Sequence, residues 1–529
     1  MTTPPLANPV LPEGVYIPDV EPRVFGDRLY LYGSHDRYGG PDFCMENYEV
    51  CSAPLDDLSV WTNHGVSYRR DQDPVNNDVQ PGQALRRLYA PDVVRVPDGR
   101  YALFYCMDDY PLMGVATAER PEGPFAFLGH IHHPDGTPLG EGEGDVLPFD
   151  PGVLVDEGRV YVYSGNGPVN AAHRRFDTVR HHSHVFELGA DLTTIIDGPR
   201  PLLPDVSESG GTGFEGHELF EASSPRRIGD LYYLVYSDIH WHALVHATAT
   251  SPLGPFRYRG VLVSNGDIDI DGRESPFQAA APIGNNHGGL VELGGRWFLF
   301  YHRHTGGIMA SRQTCAEPLE FLPDGSFARA RLSSTGLRGR PFDGRGTFRA
   351  HWACRLTHRW NGSFYSVQGT GFLPSIRQAG AGERLHQYVA NLRDGCTAGY
   401  RSFRGLAPTI SVVARASGRG RLEVSTEDGR RLASVPIAPS RRWRRTASVV
   451  LDLSGIDEAD EVGPGEHRFS RPAARPGRCP APRTSPPPRG SRACPARSRR
   501  ARGPDIRAHA PPSRGRSARA RRASQWRSG

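Results

Sequence analysis

The chain has no lysine: all 63 basic residues among its 529 are arginine. It also has no apolar run approaching the roughly 18 residues that a membrane-spanning helix needs. Its mean hydropathy of −0.49 describes a polar chain. Eight cysteines (44, 51, 106, 315, 354, 396, 479 and 494) form no C-x-x-C pair and no zinc spacing. They are expected to be isolated thiols, with Cys44 and Cys51 the best-placed pair if any bridge forms. No glycine-rich phosphate loop, Ser-His-Asp order or zinc-protease signature occurs. The opening Met1-Thr-Thr-Pro-Pro-Leu lacks the basic and apolar regions of a secretory signal. A cytoplasmic location is therefore expected, with no membrane partner.

The net charge of +5 conceals two unlike parts. Residues 462–529 hold 18 arginines against Glu466 and Asp505, a balance of +16, which leaves 45 arginines against 56 acids, or −11, in the remainder. This arginine- and proline-rich stretch has no leucine or tyrosine and too little apolar surface to offset backbone entropy, so disorder is expected. Its composition would suit polyanion binding, but the preferred reading is out-of-frame translation of a GC-rich gene, which yields the same residues. No nucleic-acid partner is expected of the acidic body.

What recurs is a hairpin. Residues 22–32, 91–105, 151–163, 224–236 and 288–301 each run from a short apolar stretch through a Gly or Asp turn into alternating aromatic and aliphatic residues. The turn glycines Gly26, Gly99, Gly158, Gly229 and Gly295 lie 73, 59, 71 and 66 residues apart, with no helical pattern between copies. This predicts an all-β fold, a five-bladed propeller over residues 5–340.

Seven or eight residues before four of those glycines stand Asp19, Asp150, Glu221 and His287. Taken alone, Asp19 and Asp150 have the surroundings of turn aspartates. Glu221 differs, since Phe220 and Ala222 beside it offer an apolar setting that raises a carboxyl pKa. The shared offset places all four at the inner ends of successive blades, facing one another across a central funnel. Two histidine groups, His130, His132 and His133 and then His181, His182 and His184, come with no carboxylate pattern and are expected on surface loops.

In order along the chain, Asn8-Pro-Val-Leu-Pro with Asp19, Tyr89-Ala-Pro-Asp-Val, Phe149-Asp-Pro-Gly, Phe220-Glu-Ala-Ser-Ser, Asn285-Asn-His-Gly and Tyr301-His-Arg-His resemble glycoside hydrolase family 43 over about residues 8–340. The resemblance implies a five-bladed propeller that hydrolyses arabinosides or xylosides with inversion and no required cofactor. It implies Asp19 as general base, Glu221 as general acid, and Asp150 as the carboxylate that orients Glu221 and raises its pKa. Arg303 matches an arginine that reaches sugar hydroxyls or the acid pair, the alternative being a core ion pair. His287 matches a channel histidine that holds a water or a hydrated calcium ion, or else is structural. Asp92 is expected to support the site. Phe43, Tyr89 and Phe149 are candidates for the apolar wall under a sugar ring.

Short strands at 387–392, 398–403, 409–414, 421–425, 432–437 and 447–453 predict a small β-sandwich over residues 350–461. This part resembles a truncated family 6 carbohydrate-binding module, still wanting one strand to complete a sheet. The expected partner is a small oligosaccharide, attacked from its end. The rival readings are a sugar-binding propeller without catalysis and a scaffold that binds polyanions through the basic stretch.

Overall fold

The computed structural model describes residues 6–456 and 467–470, apart from 81–82, 109, 168–181 and 359–372. Four antiparallel sheets of four strands and one of three follow in sequence. The first blade is β1 (Glu21–Phe25), β2 (Arg28–Tyr32), β3 (Tyr48–Pro54) and β4 (Thr62–Tyr68). The second is β5 (Asp92–Arg95), β6 (Tyr101–Met107), β7 (Tyr110–Ala118) and β8 (Ala126–His130). The third is β9 (Gly152–Asp156), β10 (Arg159–Ser164), β11 (His184–Leu188) and β12 (Ile195–Pro201). The fourth is β13 (Leu219–Ile228), β14 (Leu231–Asp238), β15 (Leu244–Ala249) and β16 (Arg257–Val263). The fifth is β17 (Leu290–Leu293), β18 (Arg296–His304) and β19 (Arg312–Leu319).

Each predicted hairpin is the first strand pair of a blade. Gly26, with φ +61°, takes the left-handed position that lets Phe25 pair with Arg28 across the tight turn. The alternating side chains of the second and third strands enter both faces of each sheet, so every blade contributes to two cores. The apolar residues accordingly divide into five clusters, one for each pair of neighbouring blades. Phe104, Val115, Val162 and Phe186 fill the gap between blades two and three, and Leu29, Leu31, Phe298 and Phe300 fill that between five and one. Five interfaces for five sheets is what a closed ring requires.

The ring closes at the N-terminal segment. Val20 bridges Gly288 in parallel, Val10 N–H donates to Thr314 O at 3.0 Å, and the Asn8 side chain accepts from Ala316 N–H at 2.8 Å. The first strands of neighbouring blades touch around the axis, where the channel is filled by charge. Arg23 on β1 forms a two-pronged ion pair with Asp92 on β5, and Arg226 on β13 reaches Glu21 on β1 at 2.7 Å. Asp92 is fully buried and also accepts from Val153 N–H at 2.7 Å. It locks three blades together within the channel and is not a sugar-contacting residue.

After the propeller come β20 (Phe342–Asp343), β21 (Arg355–His358), β22 (Ser375–Ala379), β23 (His386–Ala390), β24 (Cys396–Gly399), β25 (Phe403–Arg404), β26 (Thr409–Ile410), β27 (Val413–Ala416), β28 (Gly420–Ser425), β29 (Arg431–Ile437), β30 (Ser440–Arg445), β31 (Val449–Val450) and β32 (His467–Ser470). One five-stranded sheet runs β21-β24-β32-β28-β29, and the rest form two-stranded ladders. β32 lies inside the stretch expected to carry no structure. It takes a central place, pairing Arg468 with Thr397 and Glu423, because backbone ladders ask little of side-chain composition. Residues 457–466 and 471–529 lie outside the described residues.

A further expectation is corrected. His130 bonds Asp73 at 3.0 Å and His184 is fully buried on β11, so neither sits on a surface loop; His181 lies outside the described residues. Cys44 and Cys51 are both free and buried.

Candidate active site

The propeller gathers Asp19, Asp150, Glu221 and His287 at one end of the channel. Asp19 and Asp150 take φ values of +55° and +47° where the chain turns into an inner strand, and Ala222 next to Glu221 takes +72°. Aspartate tolerates this left-handed region better than most residues. Irregularities in the β13–β14 register on both sides of Glu221 lift it out of the regular ladder. Strained backbone at three such positions marks a site held by its surroundings.

The environments of the carboxyls differ. Asp19 is buried, its Oδ1 2.8 Å from Arg312 Nη1, and its backbone N–H donates to His302 Nδ1 at 3.2 Å. His302 in turn bonds Asn285 O through Nε2 at 2.7 Å. Burial alone would raise the Asp19 carboxyl, but the Arg312 guanidinium holds it far below the usual range, so it stays ionised. Glu221 has no cationic partner at bonding distance among the described residues. Burial pushes its carboxyl well above the ordinary value, and the charges of Asp150 and Asp19 push it further. It is a protonated acid opposite an ionised carboxylate.

Asp150 is near enough to feel the charge of Asp19 and to act on Glu221. Burial raises it, while His287, with Nδ1 3.6 Å from Asp150 Oδ2, pulls the other way. Cys106 fixes its position: Asp150 N–H donates to Sγ at 3.3 Å. His287 Nε2 is 3.5 Å from Glu21 Oε1, and the two flanking carboxylates outweigh burial to raise the imidazole to about 10. That cation stabilises the fold fully below pH 6.5, the value of a free imidazole, and its contribution is lost as pH rises towards 10. Urea midpoints of the wild type should fall over that interval, and those of His287→Gln should be flatter. No group of three His, Cys, Asp or Glu side chains converges for a metal among the described residues. The hydrated calcium given as one alternative for His287 thus has no ligand group to support it among the described residues.

Arg303 is displaced from its expected role. Its Nε donates to Cys315 Sγ at 2.9 Å and its Nη1 to Ala353 O at 3.2 Å, within the buried seam between β18 and the C-terminal part. The arginine of the site is Arg312, at the start of β19. It is buried between Asp19 and Asp36, with Nε 2.8 Å from Asp36 Oδ2. Phe43 covers it, with the guanidinium carbon 4.8 Å from the ring centre. Removing this cation strands two buried carboxylates, which costs on the order of 3–5 kcal/mol. Arg312→Met should show that loss in urea denaturation, and should also move the acidic limb of kcat/KM upward as Asp19 becomes easier to protonate.

Tyr89 and Phe149 meet edge to face at 6.1 Å, and Phe149 directly precedes Asp150. On the Glu221 side, His242 has Nδ1 3.9 Å from Glu221 Oε1 and its ring 4.4 Å from that of Phe220. Burial lowers His242 to about 4, so it is neutral.

His242, Arg312, Asp36, His302 and Glu21 escaped the sequence reading. One signal was available for the arginine. Tyr301 packs in a blade core, so strand alternation puts Arg303 on that same buried face and His302 on the other. Nothing in sequence ties Arg312 to Asp19, 293 positions away.

The glycosyl hydrolases family 43 model matches residues 6–327. A xylosidase/arabinosidase of Thermoclostridium stercorarium is 41% identical over 456 residues, covering 85% of this chain and 94% of that protein. Xylosidase/arabinosidase 43A of Humicola insolens is 28% identical over 54% of this chain and 88% of its own length. The solved structure of the RS223 β-xylosidase aligns at 26% identity and a TM-score of 0.45, over 60% of this chain and 96% of that one. By the match of this family model over residues 6–327 and by the Thermoclostridium relative, the chain belongs to the glycosyl hydrolases family 43 and is a glycosidase.

Proposed function

We propose that the protein is an inverting glycosidase that removes arabinose or xylose units from the ends of xylan-derived chains. In this reading Asp19 takes a proton from water as it attacks the anomeric carbon, and Glu221 gives a proton to the departing oxygen. Asp150 orients Glu221 and keeps it protonated. The observation that carries the reading is the opposite poise of the two carboxyls, one held ionised by Arg312 and the other held neutral by burial and like charge. A protein that only held sugar would have no use for that division. An inverting pair stands roughly 6.5–9.5 Å apart so that water fits between, and carboxyls from different blades suit such a gap. The xylosidase/arabinosidase relatives support the choice of sugar.

We assign the C-terminal strands to a carbohydrate-binding module of the family 6 type, which would keep the propeller on its polymer. A panel of aryl arabinosides, xylosides and galactosides tests the activity. Turnover of an arabinoside or xyloside is expected. Turnover confined to another sugar would overturn the choice of substrate.

A further inference from the structure

A second hollow lies in the C-terminal part, about 1880 Å³ in volume. Its floor is apolar, from Val412, Leu422 and Leu432. Its walls carry Arg349, Arg377, Arg393, Arg415, Arg419 and Arg445, against Asp394 as the one acid among the described lining residues. None of those six arginines has a carboxylate within salt-bridge distance among the described residues. Six arginines without a carboxylate partner, five of them exposed, leave the lining positive, a setting that attracts an anion.

Aromatic rings stand among these charges. The guanidinium carbon of Arg415 lies 5.4 Å from the Trp443 ring centre, and Tyr388 meets Trp443 edge to face at 5.1 Å. Trp443 is 39% exposed, large for a tryptophan inside a small sandwich. It sits on β30, whose sequence Ser-Arg-Arg-Trp-Arg-Arg leaves all four arginines exposed. A flat ring receives the apolar face of a sugar, and a planar guanidinium receives a carboxylate through two parallel bonds.

The hollow adjoins the catalytic face. Ile376 N–H on β22 donates to Thr305 O at 3.0 Å, and Gln387 Nε2 on β23 reaches Gln313 Oε1 at 3.2 Å, beside Arg312. Arg377 lies against Gly307 of the same loop. A chain held in the hollow would therefore lie next to the loop that presents Arg312.

We propose that this hollow binds carboxylate-bearing sugars, the uronate side chains of an acidic xylan. The inference rests on the reading of the propeller as a xylan-directed pentosidase. The cations line a hollow that also has apolar lining residues, which suits a short carboxylated branch better than the evenly spaced phosphates of a nucleic acid.

The test is affinity electrophoresis of the full chain in gels containing glucuronoxylan, or the same polymer after its carboxyls are reduced to alcohols. Glucuronoxylan should retard the protein, with apparent affinity falling about tenfold on carboxyl reduction, on Arg415→Ala and on Trp443→Ala. Trp443→Phe, which keeps a ring, should retain most of the binding. Circular dichroism and melting midpoints check that the variants fold. Equal retardation by both polymers, or none by either, would overturn the proposal. Retardation undiminished in Arg415→Ala and Trp443→Ala would place the binding in the arginines of 471–529 and overturn it too. So would heparin or single-stranded DNA retarding the wild type as strongly as glucuronoxylan. Aryl pentoside turnover on the same preparation separates the two readings: an active enzyme that is not retarded fails this inference alone, and a retarded protein without turnover fails the pentosidase assignment.

Discussion

Glu221→Gln should lower kcat/KM for pentosides with poor leaving groups by about 10³–10⁴-fold, and by far less for an activated nitrophenyl glycoside. The difference follows from what Glu221 supplies. Burial, Asp150 and Asp19 together keep its proton on. A sugar alkoxide cannot leave without that proton, whereas a nitrophenolate can. The amide keeps the shape of the carboxyl, so β13 and its irregular register should be undisturbed. The alkaline limb of the pH profile should vanish with the same substitution, because activity is lost as pH rises through the raised Glu221 pKa. Equal losses on both kinds of substrate would remove Glu221 from the acid role.

Asp19→Asn should cost about 10³-fold or more on every substrate, whatever the leaving group, since the attack by water needs the base each time. An amide cannot accept the proton. Arg312 retains Asp36 as its partner, so the charge beneath the site stays paired and the fold should survive. Asp19 is held ionised to far below its ordinary range, and activity in the wild type is lost as pH falls through that lowered value. The profile should therefore be broad on its acidic side. A loss that depended on leaving group would contradict this assignment.

The sequence carried the propeller clearly because each hairpin is local: a turn glycine and alternating side chains need no distant partner. Asp19, Asp150, Glu221 and His287 were legible through their common offset from those turns. Arg312 was not, since its contact with Asp19 spans the ring closure and depends on the register of β19. Arg303 attracted the assignment by its place in Tyr-His-Arg-His, yet alternation along β18 turns it into the seam against Ala353. Asp92 shares a repeat position near the others but lies one strand-step inward, where Arg23 claims it. β32 was hidden because its composition is that of the arginine-rich stretch, while its backbone completes a sheet.

The proton NMR spectrum of the first sugar released, recorded before the anomers interconvert, tests the division of labour between Asp19 and Glu221 most directly. Appearance of the anomer opposite to that of the substrate is expected, from a water activated by Asp19 displacing the group protonated by Glu221. First appearance of the substrate's own anomer would mean that a carboxylate had formed a covalent intermediate, and would contradict the roles assigned to both residues.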